Sequence, residues 1–136
     1  MDLNADAGES YGAYTLGRDA ALFPYLTSVN IACGFHAGDP RTMLQTLELA
    51  QQHKLLIGAH PSFPDLVGFG RREMQLTAQE IYADALYQIA ALAGMAASMG
   101  LQLHHVKPHG ALYHQAANNR ITAKAIAKAV HDFDPK

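Results

Sequence analysis

The sequence predicts an α/β fold of parallel strands joined by crossover helices. Three observations support this. Short apolar runs alternate with longer segments of helical periodicity, each apolar run ends in polar residues followed by Gly or Pro, and no shift in composition marks a linker. Residues 1–136 are therefore read as a single domain.

In chain order, MDLNAD is the first strand. A short, weaker helix follows around DAALFPYL, and SVNIAC is the second strand. In GDPRTMLQTLELAQQHK, Asp39 sits where an N-cap belongs and Pro40 at the first helical position, with Met43, Leu44, Leu47 and Ala50 marking one face. KLLIGAH is the third strand. In LTAQEIYADALYQIAALAGMAASMG, Thr77 and Glu80 have capping-box spacing. Ile81, Ala85, Ile89, Leu92 and Met95/Ala96 then recur on one face, and Gly100 stops the helix. LQLHHVKPH is the fourth strand, and NRITAKAIAKAVHDF a helix that groups Ile126, Ala127 and Val130.

A chain of 136 residues, 49% apolar and 16% charged, is able to bury a core. Its net charge of -2, with 10 scattered basic residues, offers no electrostatic footprint for nucleic acid or an anionic membrane. One cysteine makes no internal disulfide, and the N-terminus shows no basic segment followed by a long apolar one, so a cytoplasmic protein is expected. The most membrane-like stretch, ALYQIAALAGMAA, has about 13 residues against the roughly 20 needed to span a bilayer.

In a parallel fold the carboxyl ends of neighbouring strands lie side by side and their loops build the site. The four ends carry Asn4, Asp6 and Glu9; His36 and Asp39; His60; and Lys107 and His109. One strand-end histidine is most often a packing or capping group, and Asp39 alone is most simply an N-cap. Three histidines at equivalent ends of three successive strands point instead to a shared site, because imidazoles carry protons or metal and carboxylates orient them. His53, His114 and His131 are read as surface residues. His104 and His105 are read as structural, at least one of them facing the covering helices, and Cys33 as a small core residue. In PDLVGFGRRE, Gly68, Gly70, Arg71 and Arg72 suit a carboxylate or phosphate, or form an exposed loop. No Walker loop or dinucleotide fingerprint is present.

The segments DLNADAGESYGAY, SVNIACGFHAGDP, IGAHPSFPDLVGFGRR, LYQIAAL and HVKPHGALYHQAA together resemble the LamB/YcsF family over essentially the whole chain. The resemblance implies a parallel (β/α) barrel of the deacetylase-like type. It also implies ATP-dependent hydrolytic opening of 5-oxo-L-proline, a small lactam, to L-glutamate, carried out with 5-oxoprolinase subunits B and C, which are expected to bind most of the ATP. It falls on Asn4, Asp6, Glu9, Asn30, His36, Asp39, His60, Arg71, Lys107 and His109. Among these, Asp6, His36, His60, Lys107 and His109 are assigned to catalysis, and Asn4, Glu9, Asn30, Asp39 and Arg71 to substrate. Asp6 is expected to orient an imidazole, His36 or His60 to act as base, and Lys107 and His109 to stabilise oxygen charge or protonate the departing nitrogen. A divalent metal on Asp6, His36 and His60 is the alternative arrangement. The rival functions are a metal-dependent carbohydrate or amide deacetylase and a non-catalytic ligand-binding subunit.

Members of that family continue for about as much chain again, whereas barrel closure takes about eight strands. The chain is thus expected to hold the first four β/α units of an incomplete barrel and, with open edges, to be unstable or to self-associate.

Overall fold

A computed structural model describes residues 1–135; Lys136, the last residue of the expected domain, lies outside the described residues. Four strands, β1 (Asn4–Ala7), β2 (Ser28–Ala32), β3 (Leu56–His60) and β4 (Leu103–Val106), form one all-parallel sheet in the order β1-β2-β3-β4. The connections are α1 (Asp19–Leu22) with a 3-10 turn at Phe23–Tyr25, then α2 (Pro40–Gln52) and α3 (Ala78–Ser98), while α4 (Gly110–Asn118) and α5 (Arg120–Phe133) follow β4. This is the α/β order that the alternation predicts, and β1 and β4 are the sheet's edges.

The caps fall where the sequence places them. Asp39 accepts the backbone N–H groups of Arg41 and Thr42 ahead of Pro40, and Thr77 and Glu80 form a complete capping box. Gly100, at φ 74°, ends the α3 segment. Two helix faces differ from the sequence reading. Leu44 is exposed and Thr46 is buried in its stead, its hydroxyl satisfied by the Thr42 carbonyl. On α5 the buried row is Thr122, Ala125, Ile126 and Ala129, with Ala127 outside. The sequence reading has no helix at 110–118. There α4 is a nine-residue helix whose buried signal amounts to Ala111 and Leu112.

Alternation along the strands divides the sheet into two faces. Ala5, Ala7, Val29, Ile31, Ile57 and Ala59 pack with Met43, Leu47, Ala50, Ile89, Leu92 and Ala96 from α2 and α3 in the main core. Cys33 belongs to this core, and burial pushes its thiol up to about 12. A second cluster joins Phe63, Ile81, Ala111, Leu112, Ala125 and Ile126. The opposite face is polar. One rung runs Asp6, Asn30, Gly58, His105 across all four strands.

That rung corrects the reading of the histidine pair in β4. A register shift next to Ile57 and Gly58 makes His104 the extra residue, so it is exposed and neither histidine is buried under the helices. His105 lies over Gly58, where a Cβ would collide with its ring, and donates from Nε2 to Asn30 Oδ1 at 2.6 Å. Among the described residues no helix is long and apolar enough to cross a membrane.

Candidate active site

Each strand delivers its polar residues at its carboxyl end. Asp6 and Glu9 leave β1, His36 lies in the loop after β2, His60 ends β3, and Lys107 and His109 follow β4. The parallel pairing continues past β4, because Lys107 N–H donates to the Ala59 carbonyl at 2.9 Å and His109 N–H to the Pro61 carbonyl at 2.8 Å. These two bonds fix where the last two residues enter the rim.

The three imidazoles meet there, all buried. His36 and His109 stack, with centroids 3.7 Å apart and planes at 8°, and His60 stands edge-on to both. His36 Nε2 donates to Glu9 Oε1 at 2.9 Å, and its Nδ1 is buried without a partner among the described residues. His60 Nδ1 lies 2.6 Å from the Lys107 carbonyl, His109 Nε2 lies 2.8 Å from the Phe69 carbonyl, and His60 Nε2 faces His109 Nδ1 at 3.0 Å. Burial lowers the proton affinity of His36, against the pull of Glu9. Burial, together with the neighbouring His36, brings His109 down to about 4.

Asp6 connects the imidazoles to the polar face of the sheet. Its Oδ1 accepts from Lys107 Nζ at 2.7 Å and from Asn30 Nδ2 at 2.8 Å, and its Oδ2 lies 3.5 Å from His60 Nε2. Burial works to raise its proton affinity, but these partners outweigh it and hold the carboxyl well below the usual carboxylate range. Asn30, 1% exposed, spends its amide on Asn4, Asp6 and His105, and thereby braces the strands.

Of the residues singled out in the sequence, Asp6, Glu9, His36, His60, Lys107 and His109 come together. Arg71 shares with Asp6, His60, Lys107 and His109 the wall of an open cleft of about 620 Å³, a size suited to a small molecule. Asn4 and Asn30 lie a step down the sheet. Asp39 lies apart from the cluster, its oxygens engaged by Gly12, Arg41 and Thr42. The ligating atoms that all lie within 4.8 Å of one another belong to Glu9, His36, His60 and His109, a set that includes Glu9 and His109 where the sequence reading has Asp6. Glu9, read as a substrate contact, is bonded to His36.

The residues that sequence reasoning passes over are main-chain groups and their braces. The Phe69 carbonyl is aimed at His109 by the loop at 65–72, which the Asp65–Arg72 pair closes. Asp65 is fully buried and also accepts Gly68 N–H at 2.9 Å, while Arg72, rather than Arg71, makes the pair. The Arg72 guanidinium holds the Asp65 carboxyl at about 2. Since the folded value is the lower one, the contribution of this pair is complete above the unfolded value of about 3.9 and is lost as pH falls toward 2. Asp65→Asn is therefore expected to destabilise the protein by about 1–3 kcal/mol near neutrality. The difference from wild type should shrink below pH 4, as denaturant melts at several pH values would record.

The sequence profile of the LamB/YcsF family matches residues 1–136. The chain is 61% identical over 135 residues to the 5-oxoprolinase A subunit from a strain of Thermus thermophilus, covering 99% of this chain and 54% of that one. It is 59% identical over 134 residues to the Bordetella pertussis protein of the same name, covering 98% and 53%. The crystal structure of a lactam utilization protein from Thermus thermophilus superposes with a TM-score of 0.98 at 60% identity, over 99% of this chain and 55% of that one. The chain thus spans about half the length of the curated relatives it matches.

Proposed function

The chain belongs to the LamB/YcsF family, and from that premise we propose that its rim is the hydrolytic site of a 5-oxoprolinase, opening 5-oxo-L-proline to L-glutamate in an ATP-consuming reaction shared with subunits B and C. One observation carries the reading: the ligating atoms of Glu9, His36, His60 and His109 all lie within 4.8 Å of one another, beside the Asp6–Lys107 pair and a cleft of small-molecule size. The relatives' name, that of a 5-oxoprolinase component, supplies the substrate class.

Opening the ring adds water across the lactam C–N bond: the carbonyl carbon gains the water oxygen, and the ring nitrogen leaves with a proton as the amine of glutamate. A lactam is a poor electrophile, so its oxygen is activated by phosphorylation or polarisation before attack. Water held in the cleft beside the convergence point of Glu9, His60 and His109, on the side that Asp6 Oδ2 borders, loses a proton as it attacks. The Lys107 ammonium, 41% exposed at the cleft, stabilises the charge that develops on oxygen. Arg71, on the same wall, pairs with the substrate carboxylate. The sequence holds no Walker loop, which supports a division of labour in which the partners bind most of the ATP, and the assembly works in the cytoplasm.

The test is reconstitution of the chain with subunits B and C and measurement of glutamate release. Release that requires ATP and all three components is expected, and calorimetry should detect no tight magnesium-dependent ATP complex of the chain alone. Glutamate release that is undiminished when His60 is replaced by alanine would leave the rim with only a ligand-holding role.

We read residues 1–136 as one domain, the N-terminal part of a barrel. The edges β1 and β4 and the polar face of the sheet are then covered by further strands in chains of the relatives' length. Residues 1–136 alone are expected to self-associate in sedimentation, and a chain extended to that length to be monomeric and more resistant to denaturant. Equal stability and a monomer at both lengths would show the half to be independent.

A further inference from the structure

Proton accounting at the imidazoles leaves a deficit that the protein's own groups do not fill. A backbone carbonyl only accepts, so the contact with the Lys107 carbonyl requires the proton on His60 Nδ1, and that with the Phe69 carbonyl requires it on His109 Nε2. In the neutral rings His60 Nε2 and His109 Nδ1 are therefore bare lone pairs, yet they face each other at 3.0 Å in residues no more than 5% exposed. Two lone pairs at that separation repel unless a positive centre joins them. Carboxylates approach the same two atoms: Glu9 Oε1 lies 3.8 Å from His109 Nδ1, and Asp6 Oδ2 lies 3.5 Å from His60 Nε2.

We infer that the point shared by His60 Nε2, His109 Nδ1 and Glu9 Oε1 is a divalent transition-metal site of the zinc class, with Asp6 Oδ2 bordering the open coordination position. Two imidazoles and a carboxylate with one position left over are a hydrolytic zinc donor set. Ligand bonds of about 2.0–2.2 Å from one tetrahedral centre put the ligand atoms roughly 3.3–3.6 Å apart, between the 3.0 and 3.8 Å found here. The outer shell is already built. Each ligating imidazole gives its other N–H to a main-chain carbonyl, the partner that metal-bound histidines use, and His36 donates to Glu9 while stacking on His109. The rival occupant is a single proton shared by the two nitrogens. That proton would use two of the converging donors and leave the Glu9 carboxylate without a role at this point, whereas an ion uses all three.

The inference stands on the donor geometry and holds whether the rim opens a lactam or only binds a ligand. The experiment strips the full chain with chelator, then titrates it with zinc chloride by calorimetry and with cobalt(II) chloride by visible absorption. One ion per chain is expected, with the intense ligand-field bands of four-coordinate cobalt. Affinity should fall at least about 100-fold in His60→Ala and His109→Ala and about 10-fold or more in Glu9→Gln, and stay unchanged in His104→Ala. Glu9→Gln keeps the shape of the side chain, so its loss of affinity is readable even where a histidine variant folds poorly. Absence of stoichiometric binding, undiminished binding by His60→Ala or Glu9→Gln, or a nitrogen-15 spectrum showing one shared proton that zinc leaves unmoved would each overturn the site. Metal binding without glutamate release by the reconstituted assembly would instead refute the lactam reading and leave the metal in place.

Discussion

Replacing Lys107 by methionine is expected to lower kcat for 5-oxoproline in the reconstituted assembly by about 100- to 1000-fold, with a much smaller change in KM. The ammonium is 2.7 Å from Asp6 Oδ1 at the mouth of the cleft, where it can meet an oxygen that gains charge in the transition state. A cation that does so binds the transition state better than the ground state, so its loss falls on kcat. The main chain of Lys107 does separate work: its carbonyl receives the His60 Nδ1 proton, and the substitution leaves that contact in place. Metal uptake by Lys107→Met should therefore match wild type. Asp6 retains the Asn30 amide in the variant, so the fold is expected to persist. Kinetics at saturating and limiting substrate separate the two parameters. Unchanged turnover would reduce Lys107 to a structural counter-ion of Asp6.

The sequence makes legible whatever is settled within a few residues. Asp39–Pro40 and Thr77 with Glu80 are helix starts by local hydrogen-bond geometry, and the strands appear within a few residues of their predicted places because apolar runs end at Gly or Pro. That the strand ends converge is also legible, since a parallel sheet brings them to one side. Helix faces are less secure. A count that favours Leu44 and Ala127 ignores that Thr46 can bury its hydroxyl against the carbonyl four residues back, and that alanine is indifferent to exposure.

What escapes the sequence is the pairing across loops. Glu9 meets His36 across 27 positions and His60 meets His109 across 49, and residue type alone says only that each has something to bond. The tautomers are set by main-chain carbonyls at Lys107 and Phe69, which no side-chain pattern advertises. The place of His105 is hidden because the register shift in β4 breaks the period-two rule that would separate it from His104. One signal is available for the loop at 65–72. An aspartate seven residues before an arginine, with two glycines between them, is a chain folded back on itself, and the structure closes it with Asp65–Arg72.

Within that loop, Gly70→Ala is expected to be among the most damaging single-methyl changes in the protein, costing about 2–5 kcal/mol. Gly70 sits at φ 64°, a left-handed conformation that taxes any side chain. Its added Cβ would lie 2.8 Å from His36 Cβ and 2.9 Å from His109 Cδ2, and closer still to Ser62 Oγ. The two imidazoles have little room to yield. His36 and His109 are stacked on each other, and the main chain of Gly70 is held at both ends, its N–H by the Asp65 carbonyl at 2.8 Å and its carbonyl by Ala111 N–H at 2.9 Å. Phe69, immediately before it at φ 54°, presents the carbonyl that orders His109, so any relaxation of Gly70 turns that acceptor away. The strain and the site are thus the same feature, and zinc affinity should fall with stability. Gly94→Ala is the matched control. It lies inside α3 with nothing within 4 Å of the added methyl, and helix propensity alone predicts a gain of about 1 kcal/mol. Denaturant melts and zinc calorimetry on both variants provide the comparison. If Gly70→Ala were to melt with wild type and keep its zinc, the loop would not be what holds His109 in place.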